Sequence, residues 1–255
     1  MSAWTDFLRN ITEKTDPLAR RYFNATDLTV NIKPDHTPVS QADQEIEVLI
    51  RECVAQEHAA LSILGEEYGE TQTNADSKLI IDPIDGTKNF IAGIPFFATL
   101  LAIEDKGEVI AGHVSAPATG DKWWAAKGQG AYHNGRRIYV SKQDKLEQSL
   151  AFHGSLFGSE ASHAAEPVLT LLRQTYRQRG FGDYYQHMLV AMGMGEFCVD
   201  FNLKPWDIAP LSIIVSEAGG VCSDTKGQRT VYGGNAVSSN GLLHDVLLSY
   251  IKNLS

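Results

Sequence analysis

Apolar spacing in the first quarter of the chain predicts two helices with a short strand between them. Apolar residues at intervals of three and four predict an amphipathic helix over residues 4–22, broken at Asp16-Pro17. The same period returns over residues 44–58. Apolar and polar residues alternate over residues 28–32, which predicts a half-buried strand.

The next part of the chain has the pattern of a sheet. Residues 61–65 and 78–82 are short apolar runs, typical of buried strands. From residue 96 to 140, strand follows strand with turn residues between them. Asn134-Gly135 is a dipeptide that favours a two-residue β-hairpin turn of type I′.

After about residue 145, helical and strand-like patterns alternate along the chain. Further strands are predicted at residues 150–153 and 197–201, and a final helix after Asn240-Gly241. The predicted helices of this part cover residues 161–173, 184–192 and 206–218. The expected fold is therefore a mixture of α+β and α/β, with an N-terminal half of residues 1–144 and a C-terminal half of residues 145–255.

Composition indicates a soluble globular protein that does not bind nucleic acid. Of 255 residues, 43% are hydrophobic and 21% charged, and 22 Lys+Arg against 31 Asp+Glu give a net charge of −9, which repels polyanions. No apolar run approaches the roughly 18 residues of a membrane helix. Three widely spaced cysteines and a start without a secretory pattern lead us to expect a cytoplasmic protein.

The strongest chemical signal is a pair of acids around a proline. Asp82 and Asp85 follow an apolar strand, with Pro83 between them and Gly86 after them. Proline fixes φ and glycine allows a ligand to approach the backbone, so this turn can aim several oxygens at one point. Oxygen ligands of this kind suit Mg²⁺. The alternative is a plain Asx turn without a ligand.

More acids occur where other predicted elements begin or end. Glu66 and Glu67 end the strand at residues 61–65, and Asp207 opens the helix at residues 206–218. Each has a simpler interpretation: Asp207 favours a helix N-terminus by its charge alone, and Glu67 fits an ordinary surface acid.

Taken together, these segments resemble the inositol monophosphatase family of Mg²⁺-dependent, lithium-sensitive phosphatases. The resemblance covers nearly the whole chain and includes residues 33–43. The motifs that carry it are Asp-Pro-Ile-Asp-Gly-Thr at 82–87, Gly-Glu-Glu at 65–67, Trp-Asp-Ile-Ala at 206–209 and Glu-Ala-Gly-Gly at 217–220. The resemblance implies a layered α-β-α-β-α sandwich, a homodimer and a small phosphorylated metabolite as substrate.

The resemblance also implies a ligand set for two magnesium ions, with a weaker third position. Glu66, Asp82 and the Ile84 carbonyl would hold the first ion. The second would be held by Asp82, Asp85 and Asp207. No covalent nucleophile is required, which fits the absence of Ser, Cys and His nucleophile motifs.

Catalytic and phosphate-binding roles follow from the same resemblance. Thr87 and Glu66 would position the attacking water, and Asp43 would lie near the third metal position. The backbone N–H groups of Gly86 and Thr87 would bind phosphate oxygens at a helix start.

Within the family, several segments resemble the histidinol-phosphate phosphatases; they are residues 115–118, 123–126, 179–184, 233–234 and 239–244. Asp183 stands where the inositol branch usually has a small or hydroxyl-bearing residue. Asp183 and Asp200 would pair with the ammonium and imidazole of L-histidinol phosphate. The alternative for Asp183 is that its side chain caps the helix that begins near Tyr184.

The leading hypothesis is a Mg²⁺-dependent hydrolysis of L-histidinol phosphate. Alternatives with the same chemistry are an inositol-1-phosphate or broad sugar-phosphate phosphatase and a 3′-phosphonucleotide phosphatase. A metal-dependent regulatory module without turnover is the hypothesis from a different class.

Overall fold

Helices and sheets alternate in five layers, in the order α-β-α-β-α, which confirms the expected sandwich. The computed structural model describes residues 2–34, 37–156 and 165–251. The helices are α1 Ala3–Tyr22, α2 Gln41–Glu57, α3 Thr87–Ile91, α4 Ala165–Leu172, α5 Asp183–Ala191, α6 Pro205–Glu217 and α7 His244–Ile251. The strands of the first part are β1 Val30–Ile32, β2 Pro38–Ser40, β3 Ser62–Gly65, β4 Gly69–Thr71, β5 Ser77–Asp85, β6 Ala98–Asp105, β7 Glu108–Ala116, β8 Asp121–Ala126, β9 Gly130–His133 and β10 Arg136–Arg137. Those of the second part are β11 Leu150–His153, β12 Arg177–Gly180, β13 Phe197–Phe201, β14 Val221–Ser223 and β15 Asn235–Ser239.

The larger sheet has eight strands in the order β10-β9-β8-β7-β6-β5-β3-β4. All neighbours are antiparallel except β3 and β5, which run parallel. At the β9–β10 hairpin, Asn134 and Gly135 have φ of 46° and 82°, the signs that a type I′ turn requires, so this prediction is confirmed. The short β1 and β2 pair only with each other, and every residue of β1 is exposed. The predicted half-burial of that segment is therefore wrong.

Helices α1 and α2 cover one face of the larger sheet with a layer of buried apolar side chains. The predicted break at Asp16-Pro17 does not occur, because α1 continues through Pro17 to Tyr22. Buried Asp16 accepts a hydrogen bond from Ser115 Oγ at 2.8 Å and forms an ion pair with Lys122 Nζ at 2.8 Å. These contacts hold the helix on the sheet although proline removes one helical hydrogen bond.

Helices α5 and α6 form the middle layer and pack on both sheets. The backbone of α6 lies directly on the larger sheet at Gly112 of β7. A Cβ at Gly112 would lie 2.6 Å from Ile213 Cγ2 and 2.8 Å from the Pro210 carbonyl oxygen. Such distances leave no room for a methyl group, so glycine permits this close approach.

The smaller sheet has the strand order β12-β11-β13-β15-β14, and α4 and α7 cover its outer face. Strand β11 runs parallel to β12 and β13, and the remaining pairs are antiparallel. The first four residues of the helix predicted at 161–173 lie outside the described residues. All strands of the larger sheet come from residues 62–137 and those of the smaller sheet from residues 150–239. The boundary at residues 144 and 145 stays a prediction.

Among the described helices, none has the length and apolar character that a membrane crossing requires.

Candidate metal centre

Strand β5 ends in the two acids that the sequence singles out. Its pairing with β6 is irregular between Asp82 and Asp85, because a bulge interrupts the ladder where Pro83 offers no N–H. Asp82 Oδ1 accepts a hydrogen bond from the Ile84 N–H at 3.0 Å, so the Asx hydrogen bond of the simpler interpretation is present. It uses one carboxylate oxygen and leaves the other for a ligand.

Helix α6 brings a third carboxylate to this point. Ligand oxygens of Asp82, Asp85 and Asp207 lie within 4.8 Å of one another. Asp207 Oδ2 also accepts the Lys204 N–H at 2.7 Å, in the first turn of α6. Asp207 is therefore a helix-capping residue and a member of the cluster at once.

Burial and mutual repulsion make this cluster a poor place for three bare negative charges. Burial, then the charges of Glu66 and Asp85, raise the pKa of Asp82 well above its usual value. Burial, then Asp183 and Asp207, do the same for the pKa of Asp85. Burial raises the pKa of Asp207 to about 7. Three carboxylates, of which Asp82 and Asp85 are buried, form the all-oxygen, anionic donor set that a hard divalent cation requires, so these residues fit Mg²⁺.

A second group of side chains joins α2 to the turn after β5. Fully buried Asp43 accepts hydrogen bonds through Oδ2 from the Ser40 N–H at 2.8 Å and from Ser40 Oγ at 2.5 Å. Thr87 Oγ1 lies 3.0 Å from Asp43 Oδ1 and 3.0 Å from the Ile84 carbonyl oxygen. Burial raises the pKa of Asp43 to about 6. Asp43, which lies 44 residues before Thr87 in the chain, therefore meets the turn that carries Ile84 and Thr87.

Glu66 and Glu67 follow β3 and share one ammonium group. Lys33 Nζ lies 2.8 Å from Glu66 Oε1 and 2.7 Å from Glu67 Oε1. The side chain of Glu67 is only 4% exposed, so its interpretation as a surface acid is wrong. Burial raises the pKa of Glu67 to about 7. Glu66 is outside the group of three clustered aspartates, yet its charge raises the pKa of Asp82 and Asp207.

Asp183 begins α5 and reaches back to the turn after β5. Its Oδ2 accepts a hydrogen bond from Asn89 Nδ2 at 2.8 Å. The N-cap of α5 is Gly182, and the hydrogen bond of the Asp183 carboxylate goes to Asn89 and not to an N–H group of α5, so the simpler interpretation of Asp183 as a cap is wrong. Burial raises the pKa of Asp183 to about 6.

The backbone at this position connects α5 to the clustered aspartates. Asp183 adopts φ of 50°, the left-handed region that aspartate tolerates better than most residues. The next N–H, that of Tyr184, donates to Asp85 Oδ2 at 2.7 Å. Gly86, at the start of α3, has φ of 81°, and a Cβ there would lie 3.4 Å from Asp183 Oδ2. The carboxylate of Asp183 therefore lies beside the turn that links β5 to α3.

Asp200 lies on β13, on the side of the smaller sheet. Its Oδ2 accepts a hydrogen bond from Gln186 Nε2 at 2.6 Å, and its Oδ1 accepts the Phe201 N–H at 3.0 Å. Burial, then the charge of Asp183, raises the pKa of Asp200 to about 7. The two acids are close enough to influence each other, although Asp183 lies on α5 and Asp200 on β13.

Sequence reasoning did not single out Lys33, Asn89 or Glu47, which hold these acids in place. Lys33 carried no signal beyond its position near Asp43. Asn89 lies two residues after Thr87, on the same short helix. Glu47 lies one helical turn after Asp43, and that period of four was a usable signal.

Comparison with known proteins shows the family to which the chain belongs. A model of the inositol monophosphatase family matches residues 1–255. The chain is 39% identical over 251 residues to the histidinol-phosphatase of Streptomyces coelicolor, covering 95% of this chain and 94% of that one. It is 37% identical over 247 residues to the histidinol-phosphatase of Mycobacterium tuberculosis, covering 95% of each. The solved structure of the IMPase of Thermotoga maritima superimposes with a TM-score of 0.88 at 32% identity, over 98% of this chain and 97% of that one. The chain therefore belongs to the inositol monophosphatase family, whose members depend on metal ions, and it is a phosphomonoesterase.

Proposed function

We propose that this protein hydrolyses L-histidinol phosphate to histidinol and phosphate, with Mg²⁺ as its cofactor. The observation that carries the proposal is the pair of acids Asp183 and Asp200 beside the aspartate cluster. Both raise the pKa of Asp85, so both carboxylates lie close enough to the cluster to affect its charge. An ester with a positively charged end would gain from both.

Mg²⁺ would be held by the clustered carboxylates and their neighbours. Glu66, Asp82 and the Ile84 carbonyl would hold one ion, and Asp82, Asp85 and Asp207 a second, with Asp43 beside a third position. When bound, Mg²⁺ neutralises phosphate charge and lowers the pKa of water. For Glu66 to take this part, Lys33 must release one of its two carboxylate partners.

The chain's own groups would orient the water and the phosphate. If Thr87 Oγ1 donates its proton to Asp43 Oδ1, at 3.0 Å, its lone pairs are left to accept a hydrogen bond from the attacking water. Glu66 would hold the second proton of that water. The N–H groups of Gly86 and Thr87, at the start of α3, would donate to phosphate oxygens. Water supplies both the oxygen that phosphorus gains and the proton that the leaving ester oxygen takes up, so the products are the alcohol and hydrogen phosphate.

Asp183 and Asp200 favour histidinol phosphate over the alternative esters on simple electrostatic grounds. Inositol-1-phosphate offers only neutral hydroxyl groups to these carboxylates, and a sugar bisphosphate or a 3′-phosphonucleotide brings a second anionic group towards them. A second anionic group near these carboxylates would weaken binding, while an ammonium or imidazolium group would strengthen it. The identity to the two histidinol-phosphatases over 95% of the chain supports the same choice.

The test is a comparison of kcat/KM for histidinol phosphate and inositol-1-phosphate in the presence of Mg²⁺. We expect the value for histidinol phosphate to be higher by about 10–100-fold, as a charge-assisted contact of about 1.5–3 kcal/mol implies. Equal values, or a higher value for inositol-1-phosphate, would show that the substrate assignment is wrong. Turnover that persists after Mg²⁺ is removed with a chelator would refute the metal assignment separately.

A further inference from the structure

Glu47 is a fully buried carboxylate that the proposed chemistry does not use. It lies on α2, one turn after Asp43, and both side chains have 0% exposure. A carboxylate in the interior is costly unless charged or polar partners satisfy it. Its partners therefore indicate why the chain places it there.

Among the described residues, the hydrogen-bond and ion-pair partners of Glu47 come from the turn that carries Glu66 and from Arg51. Glu47 Oε2 accepts the Glu67 N–H at 2.8 Å, and Oε1 accepts the Tyr68 N–H at 3.3 Å. Arg51 Nε donates to Glu47 Oε1 at 2.9 Å. The two backbone donors follow Glu66 directly in the chain, so the carboxylate binds the main chain of the turn.

The fit between α2 and this turn is close. A Cβ at Gly65 would overlap Glu47 Oε1, so only glycine lets the carboxylate reach the backbone. Arg51 also connects α2 to this hairpin. Its Nη2 donates to the Gly69 carbonyl oxygen at 2.6 Å, and its Nη1 donates to Thr71 Oγ1 at 3.0 Å. The hairpin of β3 and β4 is thus attached to α2 at its turn and along β4.

Glu66 itself is fixed from the opposite side. Its N–H donates to the Ile81 carbonyl oxygen at 3.2 Å, on the strand that leads to Asp82. With the following N–H held by Glu47, the backbone of Glu66 has little freedom to move relative to β5 and α2. Since α2 also carries Asp43, one helix sets the positions of Asp43 and Glu66 together.

We propose that Glu47 is a positioning residue that sets the Glu66 carboxylate for magnesium binding. The proposal rests on the proposed function, in which Glu66 is a metal ligand. A misplaced ligand binds more weakly because the ion demands near-ideal octahedral geometry. Residues that orient the ligands of a metal typically change its affinity by about 10–100-fold when they are replaced.

The variant that tests this is Glu47→Gln, measured by calorimetric titration of the metal-free protein with Mg²⁺. Glutamine keeps one acceptor oxygen but turns an NH2 group towards a backbone N–H or Arg51, so the turn must shift. We expect the Kd for Mg²⁺ to rise about 10–100-fold. The matched control is Glu104→Gln, since Glu104 is a buried carboxylate on β6 that pairs with Lys78 at 3.3 Å and accepts the Tyr232 hydroxyl at 2.7 Å. It lies opposite the start of β5, whereas the aspartates lie at its end.

Glu47→Gln with the wild-type Kd would overturn the inference, and so would an equal loss of affinity in Glu104→Gln. If Glu47→Gln does not fold, Glu47→Asp takes its place, because the shorter acid keeps the charge but cannot reach both N–H groups; the same criteria then apply. Glu66→Gln separates the two proposals. Wild-type affinity in Glu66→Gln would show that the ligand assignment under the proposed function is wrong, whereas normal affinity in the Glu47 variants alone would leave that assignment intact.

Discussion

Individual acids in this site serve the fold and the chemistry at once. Asp207 caps α6, Asp82 accepts the Ile84 N–H, and Asp85 accepts the Tyr184 N–H. An amide oxygen can accept the same hydrogen bonds, but it carries no charge. Aspartate-to-asparagine replacements therefore separate the two functions of these residues.

Asp85→Asn should lower kcat by at least about 10³-fold, because the loss of a metal-binding charge removes several kcal/mol of transition-state stabilisation. The metal-free fold should be as stable as wild type or more so, since a buried like charge is removed. Hydrolysis of p-nitrophenyl phosphate and thermal unfolding measure the two effects. Asp105→Asn, at the other end of the β5–β6 pair, is the control that should keep full turnover. Normal turnover in Asp85→Asn would exclude its ligand role.

Asp183→Asn tests the substrate-binding role at the same scale. Asparagine tolerates the left-handed backbone of this position and can keep the contact with Asn89, so only the charge is lost. We expect kcat/KM for histidinol phosphate to fall about 10–100-fold more than kcat/KM for p-nitrophenyl phosphate. An equal fall for both esters would show that Asp183 does not bind the positively charged end of histidinol phosphate.

At the scale of elements, α2 is the part that connects Asp43 with Thr87 and Glu66. Its first turn is closed by a capping box, in which Ser40 Oγ accepts the Ala42 N–H and Asp43 accepts the Ser40 N–H. The sequence pattern predicted this helix only from residue 44, because its first turn contains few apolar residues. The capping residue Ser40, which orients Asp43, therefore lies before the segment in which the apolar period is visible.

Ser40→Ala should cost about 1 kcal/mol of unfolding free energy through loss of the cap, and it should also lower kcat because Asp43 loses a hydrogen-bond donor. Urea unfolding and steady-state kinetics give the two numbers. Ser2→Ala is the matched control, since Ser2 caps α1 by accepting the Thr5 N–H far from the site. If both variants lose stability equally and turnover is unchanged in both, Ser40 acts only on the helix.

Sequence patterns predicted the long elements and the motif turns better than the short strands. Strand β5, the hairpin at Asn134-Gly135 and helices α5 and α6 are near their predicted positions. Strands β12 and β14 were not predicted, because β12 contains no apolar side chain and the three residues of β14 are too few for an alternation to stand out. The break expected at Pro17 failed because contacts of Asp16 across the layer outweigh one lost hydrogen bond.

At the scale of the whole molecule, the acids of the candidate site come from both sheets and from the helices between them. The family resemblance implied that Asp82, Asp85 and Asp207 share one ion, and the structure brings their ligand oxygens within 4.8 Å of one another, although no local pattern predicted how α6 reaches β5. Local sequence patterns also did not show that the side chain of Glu67 is buried, because its surroundings come from Lys33 and from α2. Long-range packing therefore supplied what the motifs could not.

The metal-free protein should become more stable as pH falls from 8 towards 6. Folding raises the pKa of Asp43 to about 6 and of Glu67, Asp200 and Asp207 to about 7, against about 4 in the unfolded chain. The folded state thus binds protons more tightly, so this contribution is complete below pH 4 and is lost as pH rises through 6–7. The melting temperature should shift by roughly 3 °C for each kcal/mol involved.

Saturating Mg²⁺ should remove or reverse that trend, because cation binding favours the ionised carboxylates and releases protons. Thermal unfolding between pH 5.5 and 8, with Mg²⁺ and with a chelator, measures the difference. Identical pH slopes under both conditions would contradict the assignment of these acids to a metal centre.

The contact of α6 with Gly112 has a practical consequence for anyone who alters this enzyme. Replacing glycines by alanine is a common way to stiffen a protein, and Gly112 looks suitable because it lies inside a regular strand. An added methyl group there would push α6 away from the sheet and carry Asp207 with it. The resulting variant would have the kinetics of an active-site defect with every active-site side chain intact. Libraries for thermostability should therefore leave this interior glycine unchanged.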